Sequence, residues 1–465
     1  MDRNVKTQPT QIHLEELLSA LSQAIDMTEG QPRGHSQRCC WIGLQIAREL
    51  EIDAMQSRDL YYTILLKDLG CSSNAARICE LYLADDLAIK RDAKLLDGSL
   101  PQVMRFVLQH TGLEAGLAGR LRAIHHIFKN GGAITAELFQ TRCQRGSDIA
   151  KKMRFGDAVA QGIHSLDEHW DGGGKPHGLL NSDIPLFSRI ALLTQVVDVF
   201  QITGGPQAAR EEVRSRSGTW FDPVLVNAFL KVSTQPEFFE SLNSEQLGGM
   251  LPTLVPSRLS KPVDEDYLDD ITAGFSDIVD SKSPYTKGHS ERVALYSDMI
   301  AETLGFTKER RRWLKRAALL HDIGKLGVSN MILDKPGKLD EAEMTVMKRH
   351  AADTETILSR VSAFHKFASI AGAHHERLDG KGYPKGLKGQ EIKLESRILA
   401  VADIFDALTA DRPYRAAITG AKALTLMELD VGTAIDENCF GALKRALSKM
   451  DAESAPIKKT CMGSS

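Results

Sequence analysis

HHERLDGKGYPKGL, at His374–Leu387, is the stretch from which the organisation of the whole chain can be worked out. Its part from Glu376 onward, ERLDGKGYPKGL, is matched earlier in the chain by EHWDGGGKPHGL at Glu168–Leu179. The two stretches stand at an offset of 208 positions (376 − 168). A long match at a fixed distance indicates that one structural unit occurs twice.

Further matches continue in both directions and in the same order. DMTEGQPRGHSQR, from Asp26, corresponds to DSKSPYTKGHSER, from Asp280, at an offset of 254 (280 − 26). LLKDLG at 65–70 corresponds to LLHDIG at 319–324 at that same offset. The offset falls by 46 (254 − 208) between the two groups of matches, so the first copy carries an insertion of about that length within 71–141. The sequence predicts a tandem duplication.

Both copies have the periodicity of helices. Leu314, Ala317, Ala318 and His321 recur at the spacing that places side chains on one face of a helix, and Thr307 precedes them as an N-cap. Alternating runs long enough for a sheet are absent from the sequence. We therefore predict an all-α fold of two helical bundles.

A stretch rich in Pro and Gly, residues 233–265, separates the two copies. Such composition favours a connector between domains. The predicted organisation is a first domain at 1–232, a linker at 233–265 and a second domain at 266–465.

Composition narrows the class of protein. The net charge is −3, and 42% of residues are hydrophobic, which is typical of a globular protein and disfavours binding to long nucleic acid or to a membrane surface. The seven cysteines are odd in number and form no CxxC pair, which favours reduced thiols in the cytoplasm. No run of residues approaches the length of a membrane span, and the N-terminus lacks a signal-peptide core.

The second copy concentrates imidazole and carboxylate groups, which suit Fe, Mn or Zn more than Mg or Ca. A single such histidine is more often a hydrogen-bonded core or surface residue, but here two doublets occur within one domain. Seven groups exceed what one tetrahedral ion needs and fit a two-metal site with a bridging carboxylate. The candidates are His289, His321, Asp322, His350, His374, His375 and Asp403.

These motifs resemble the HD-GYP family, a branch of the HD metal-dependent phosphohydrolases. The resemblance rests on HDIGK at His321–Lys325, HHERLDGKGYP at His374–Pro384 and ADIFDALTADRPYR at Ala402–Arg415. It implies an α-helical HD core that hydrolyses cyclic dinucleotides, chiefly cyclic di-GMP, at a centre of two or three metals, commonly iron or manganese. It also implies that all seven groups are metal ligands and that Asp322 bridges two ions.

The same resemblance assigns residues to the substrate. Lys325 would hold a phosphate oxygen beside the metals, so Asp322 and Lys325 are the predicted catalytic residues. Arg412 and Arg415 would bind phosphate by forked hydrogen bonds, with structural salt bridges as the alternative. Tyr383 would either stack on a base or brace its loop.

Three positions depart from the family pattern. Ala351 and Thr354 stand where Pro and Gly are frequent after the third histidine, which could shift the helix that carries His350. Tyr285 stands where members with three metals have a glutamate. Two divalent metals, Fe or Mn, are therefore expected.

The first copy retains His35 and Asp68 but has lost the other ligands. At the two offsets His321 becomes Lys67, and the remaining ligand positions hold Arg142, Leu166, Asp167 and Gln195. We predict that this copy binds no metal pair and instead packs on the catalytic domain, dimerises or senses a signal.

The leading functional hypothesis is a cytoplasmic metal-dependent phosphodiesterase acting on cyclic di-GMP. The alternatives are hydrolysis of 3'3'-cyclic GMP-AMP, because the motifs do not encode base preference, and a GYP surface that docks a signalling partner with little activity.

Overall fold

The computed structural model describes residues 13–244, 246–254, 262–411 and 415–454, and within these ranges the only β-structure is isolated bridges. The all-α prediction is confirmed. The helices of the first half are α1 (Leu14–Thr28), α2 (His35–Glu49), α3 (Ala54–Leu65), α4 (Ala75–Tyr82), α5 (Asp86–Ala93), α6 (Leu100–His110), α7 (Leu117–Lys152), α8 (Asp157–His164), α9 (Leu186–Ser215), α10 (Pro223–Val232), α11 (Pro236–Leu242) and α12 (Leu247–Leu254).

The second half repeats this order with fewer helices. They are α13 (Glu265–Asp280), α14 (His289–Thr303), α15 (Lys308–Leu320), α16 (Asn330–Leu333), α17 (Glu341–Leu358), α18 (His365–Gly372), α19 (Leu394–Thr409), α20 (Gly420–Glu428) and α21 (Glu437–Ser454). Helix α14 reproduces α2 at the offset of 254, and α18 reproduces α8 at the offset of 208, residue for residue at both ends. The structure is a tandem repeat of one helical bundle.

Local signals in the sequence explain where these helices start. Asp53 accepts hydrogen bonds from the amides of Met55 (2.8 Å) and Gln56 (3.0 Å), and Thr307 accepts one from Arg310 (3.3 Å). These side chains cap α3 and α15 at equivalent positions of the two copies, as their sequence predicts.

The two copies also fold their GYP-type loops alike. Glu376 accepts the amides of Lys385 (2.7 Å) and Leu387 (3.0 Å). Glu168 binds the corresponding two amides of the first copy at 2.7 and 2.9 Å. One buried carboxylate therefore holds each loop closed, whether or not its copy has kept the metal ligands.

The first copy is longer because of helices between Gly70 and the part of α7 that corresponds to α17. The additional elements are α5, α6 and the N-terminal half of α7, a helix of 36 residues. Much of this insertion is exposed to solvent, but Asp86 and Ile89 of α5 are buried.

The stretch predicted as a linker, 233–265, differs from that expectation. It contains α11 and α12, and α12 packs on α1 and α2. The reason is apolar content: Phe238, Phe239, Leu242 and Leu247 lie among the Pro and Gly residues, and all four side chains are buried. Residues 255–261 lie outside the described ranges.

The two copies contact each other reciprocally. Helix α1 packs on α17 and on the 3-10 turn Ile323–Gly327, while α13 packs on α7 and on the 3-10 turn Cys71–Asn74. The buried apolar side chains of both copies belong to one continuous cluster. This exchange of equivalent helices is the arrangement that two subunits related by a twofold axis would have.

One described helix, α9, is long and apolar enough to cross a membrane by composition alone. However, 72% of its most apolar window is buried inside the protein. That burial is what the core helix of a bundle shows.

Candidate metal centre

The turn after α15 positions the first pair of candidate ligands. The periodicity of the sequence predicts that the helix capped by Thr307 continues through His321, but α15 ends at Leu320 and Ile323–Gly327 forms a 3-10 turn. The helix ends there because Gly324 lies directly against the backbone of α17, where a Cβ would come within 2.1 Å of the His350 carbonyl oxygen. This close approach brings His321 and Asp322 up to His350.

All seven predicted ligands meet at the junction of five elements. They come from the first residue of α14, the turn after α15, α17, the segment after α18, and α19; the residues are His289, His321, Asp322, His350, His374, His375 and Asp403. All seven belong to overlapping groups whose donor atoms lie within 4.8 Å of one another.

Asp322 lies between two pairs of histidines. Its Oδ2 is 3.5 Å from His289 Nε2 and 3.3 Å from His321 Nε2. Its Oδ1 is 3.5 Å from His350 Nε2 and 3.6 Å from His374 Nε2. The two oxygens of one carboxylate thus face two different pairs of imidazole nitrogens.

Hydrogen bonds fix the tautomer of these histidines. The Nδ1 atoms of His321, His350 and His374 lie 2.7, 2.6 and 2.6 Å from the carbonyl oxygens three residues earlier. A carbonyl oxygen can only accept, so Nδ1 carries the proton and Nε2 presents its lone pair to the cluster. Each ring is therefore held in the form in which it binds a metal.

The arrangement leaves buried polar atoms without partners among the described residues. Within that part of the chain, His289 Nε2, His321 Nε2 and Asp322 Oδ1 have no hydrogen-bond partner. The Nε2 lone pairs of His350 and His374 face each other at 3.3 Å. Buried acceptors that face one another without a proton between them are costly unless a cation satisfies them. The donor set therefore fits divalent transition metals.

The protonation equilibria agree with this fit. Burial lowers the pKa of His350 to about 4, and burial together with His350 lowers the pKa of His375 to about 3, so both rings are neutral at pH 7. Burial also lowers the pKa of His289, but the carboxylates of Asp322, Asp403 and Asp406 outweigh it and raise that pKa to about 10. The excess of negative charge around His289 is what a bound cation would neutralise.

Comparisons with known proteins match this architecture. The HD-domain family matches residues 115–225 and 274–439. The 3'3'-cGAMP-specific phosphodiesterase 3 of Vibrio cholerae is 54% identical over 95% of this chain and 96% of its own length.

The chain belongs to the HD-GYP family of cyclic dinucleotide phosphodiesterases.

A solved structure and a more distant relative extend the comparison. The crystal structure of a cyclic GMP-AMP specific phosphodiesterase of V. cholerae superposes with a TM-score of 0.66 at 49% identity, covering 94% of this chain and 98% of that one. A cyclic di-GMP phosphodiesterase response regulator of Xanthomonas campestris is 44% identical over 36% of this chain and 44% of its own length.

Sequence reasoning missed one group of residues beside the HD-GYP centre. Asp406 Oδ2 lies 2.7 Å from His289 Nδ1, and Arg292 holds the same carboxylate through Nε (2.6 Å) and Nη2 (3.0 Å). The signal was present in the repeat, because the first copy has Asp198 and Arg38 at the corresponding offsets. Asp406 fixes the orientation of His289 from outside the cluster.

Lys325 and Tyr383 both lie next to the cluster. Lys325 Nζ is 2.6 Å from Asp322 Oδ2, and its side chain is partly exposed. The ring of Tyr383 packs at 4.7 Å from that of His375 and 6.3 Å from that of His350. Burial and the charges of Asp322 and Asp403 raise the pKa of Tyr383, so the phenol stays protonated and can donate a hydrogen bond.

Arg415, one of the two predicted phosphate clamps, makes hydrogen bonds at the end of α19. Its guanidinium donates to the carbonyls of Ala407 (2.6 Å), Leu408 (2.9 Å) and Ala416 (3.1 Å). The cause is that the last carbonyls of α19 lack partners within the helix, and a nearby arginine satisfies them. The other predicted clamp, Arg412, lies outside the described residues.

The departures from the family pattern are accommodated without losing a ligand. Thr354 Oγ1 donates to the His321 carbonyl (2.9 Å) and accepts the amide of Gly324 (3.0 Å). Ala351 is fully buried next to His350. Thr354 thus ties α17 to the turn that carries His321 instead of displacing His350.

The first copy replaces this centre by ion pairs. Lys67, at the position of His321, is buried and pairs with Asp68. Arg142, at the position of His350, pairs with Asp167, at the position of His375. Lys94, from the insertion, adds a third cation 2.9 Å from Glu29. Side-chain cations therefore stand where the second copy gathers metal ligands.

Proposed function

We propose that this chain hydrolyses 3'3'-cyclic GMP-AMP at a two-metal centre in its C-terminal copy. The observation that carries the proposal is Asp322, whose two oxygens each face a separate pair of histidine Nε2 atoms at 3.3–3.6 Å. The choice of substrate is supported by relatives, and the choice of site by this geometry.

The relatives favour cyclic GMP-AMP over the cyclic di-GMP expected from the motifs. The V. cholerae 3'3'-cGAMP-specific enzyme matches 95% of this chain, including the first copy and its insertion. The X. campestris relative, whose name specifies cyclic di-GMP, matches 36% of it. The motifs of this chain do not encode base preference, so similarity across the whole chain is the better guide to it.

The proposed ligands are the seven residues of the cluster, with Asp322 as the bridge and iron or manganese as the metals. Mixed imidazole and carboxylate donors suit these ions. Two such ions, when bound, supply Lewis acidity at the phosphodiester and a water of lowered pKa.

The protein's own groups bind and orient the substrate. Lys325 Nζ, 2.6 Å from Asp322 Oδ2, is a flexible cation at the rim of the cluster and can turn to a phosphate oxygen. Tyr383, beside His375, offers both an aromatic face and a phenolic donor. His350, His374 and His375 stay neutral at pH 7, so they keep their lone pairs for metal.

The domain limits 1–232 and 266–465 remain our proposed division, with α11 and α12 added to the first unit. The cytoplasm remains the proposed location, supported by the free thiols of the six described cysteines.

The test is a substrate panel on the purified full-length chain loaded with Mn(II) or Fe(II). Cyclic GMP-AMP, cyclic di-GMP and cyclic di-AMP are offered separately, and products are separated by chromatography. We expect the highest kcat/KM for cyclic GMP-AMP and no turnover in Asp322→Asn. The matched variant Asp68→Asn alters the corresponding aspartate of the first copy and should retain turnover. Preference for cyclic di-GMP would overturn the substrate, and turnover by Asp322→Asn would overturn the site.

A further inference from the structure

Asp86, in the insertion of the first copy, is a buried carboxylate that reaches into the second copy. It is the first residue of α5 and has no exposed surface. Its side chain is ionised, because the charges of Lys282 and Lys90 outweigh the effect of burial and lower its pKa. A fully buried carboxylate is retained only with several partners.

Most of those partners belong to the second copy. Asp86 Oδ1 accepts the amide of Asn330 at 2.8 Å and the hydroxyl of Ser329 at 3.3 Å. Its Oδ2 lies 3.4 Å from the ammonium groups of both Lys282 and Lys90. Lys282 is itself buried, and burial lowers its pKa to about 8.

The segments that Asp86 joins both lead to metal ligands. Ser329 and Asn330 follow the 3-10 turn that carries Lys325, with Val328 between, and Lys282 lies on the segment that leads to His289. Asn330 Nδ2 also donates to the Lys282 carbonyl at 2.8 Å. One carboxylate of the first copy thus fastens two neighbouring segments of the second copy to each other.

A second contact from the first copy acts on the same turn. Met27, at the end of α1, packs so closely on Gly327 that a Cβ there would lie 2.4 Å from the methionine methyl. The equivalents of Lys282, Ser329 and Asn330 in the first copy are Thr28, Ala75 and Ala76, which lack these side chains. The polar partners of Asp86 are therefore particular to the catalytic copy.

We propose that Asp86 is a positioning residue for the C-terminal active site, supplied by the degenerate copy. It holds the segment after the HD motif, and through it the positions of Asp322 and Lys325. This inference rests on the proposed function in one respect: the C-terminal cluster must be the centre that is positioned. It gives the first copy a role in catalysis without any ligand of its own.

Four variants of the full-length chain separate positioning from simple stability. Asp86→Ala removes the hydrogen bonds to Ser329 and Asn330 and also removes the carboxylate that lies 3.4 Å from the Lys282 ammonium. Asp86→Ala/Lys282→Met removes the buried ammonium group of Lys282 as well. Lys282→Met alone keeps Asp86 bound to Asn330 and Lys90. Asp85→Ala removes the exposed N-cap of α5, whose side chain accepts the Leu87 amide, and is the matched control for α5.

Turnover of cyclic GMP-AMP and the EPR spectrum of bound Mn(II) are measured well below each variant's melting temperature. We expect kcat to fall about 10- to 100-fold in Asp86→Ala and in the double variant, with KM changed much less. The Mn(II) spectrum should change in these two variants alone, and the double variant should recover melting temperature but not kcat.

Two results overturn the proposal: wild-type kcat in Asp86→Ala, or recovery of kcat together with melting temperature in the double variant. A wild-type chain without turnover refutes the proposed function instead. In that event the EPR spectra still decide, since spectra identical to wild type in Asp86→Ala refute the positioning role.

Discussion

Gly324→Ala provides a steric test of the site, because the same substitution can be made in both copies. The new Cβ would stand 2.1 Å from the His350 carbonyl oxygen, and at Gly70 it would stand 2.0 Å from that of Arg142. Real Cβ contacts essentially never fall below 3.0 Å, and both obstacles are backbone atoms that cannot rotate away. Each substitution must therefore push the adjoining helix back by about 1 Å.

The energetic cost should be similar in the two copies, but the chemical consequence should not. Overpacking of this kind costs about 1–3 kcal/mol. Metal–ligand distances tolerate only about 0.2 Å of change, so moving His350 by about 1 Å should abolish its bond to metal. Gly70→Ala moves Arg142, which belongs to an ion pair and not to a metal site.

The assay combines elemental analysis with thermal melting monitored by circular dichroism. Both variants should melt a few degrees below wild type. Metal content should be about two ions per chain in the wild type and in Gly70→Ala, and it should be lower in Gly324→Ala. Equal metal content in the two variants would show that the His350 position is not part of the metal centre.

Further predictions concern the surroundings of the cluster. Asp406→Asn should weaken metal affinity about 10- to 100-fold in a chelator competition, whereas Asp198→Asn, its equivalent in the first copy, should not; equal effects would contradict the orienting role. Lys325→Ala should lower kcat with metal content unchanged, and loss of metal would make the lysine structural. Because His350 and His375 have pKa values lowered from 6.5 to about 4 and about 3, the metal-free chain should lose stability as pH falls from 6.5 toward 3. Each group contributes at most about 1.4 kcal/mol per pH unit, and a melting temperature that rises on acidification would contradict the neutral rings. Residues 256–465 expressed alone should be less soluble or less active than the whole chain, because the surface that α1 covers is exposed; unchanged melting and turnover would mean that the halves are independent.

Much of this architecture could be predicted because the sequence contains two copies of one unit, which can be aligned with each other. The two offsets, taken from short motifs, place Gly70 on Gly324 and Arg142 on His350. The structure brings each glycine against the carbonyl of its partner in the same way. The candidate metal ligands could also be predicted from the sequence. Imidazole and carboxylate groups that occur as adjacent pairs have few alternative explanations.

What could not be predicted depends on contacts made across the fold. The motif of Arg415 predicts a phosphate contact and does not encode the hydrogen bonds that tie this residue to the end of α19. The Pro- and Gly-rich stretch was expected to be a linker, yet Phe238 and Leu242 have a surface to pack on only after the bundle has formed. The role of Asp86 has no signal in the sequence, because its partners in the second copy lie more than 190 positions away.

The most direct test of the central claim is a competition assay. Equal concentrations of cyclic GMP-AMP and cyclic di-GMP are mixed with the Mn(II)-loaded chain, and the disappearance of each is followed by chromatography in one reaction. The ratio of the two rates then gives the ratio of kcat/KM directly. We predict that cyclic GMP-AMP is consumed first and that Asp322→Asn consumes neither; faster loss of cyclic di-GMP, or unchanged consumption by Asp322→Asn, would contradict the account.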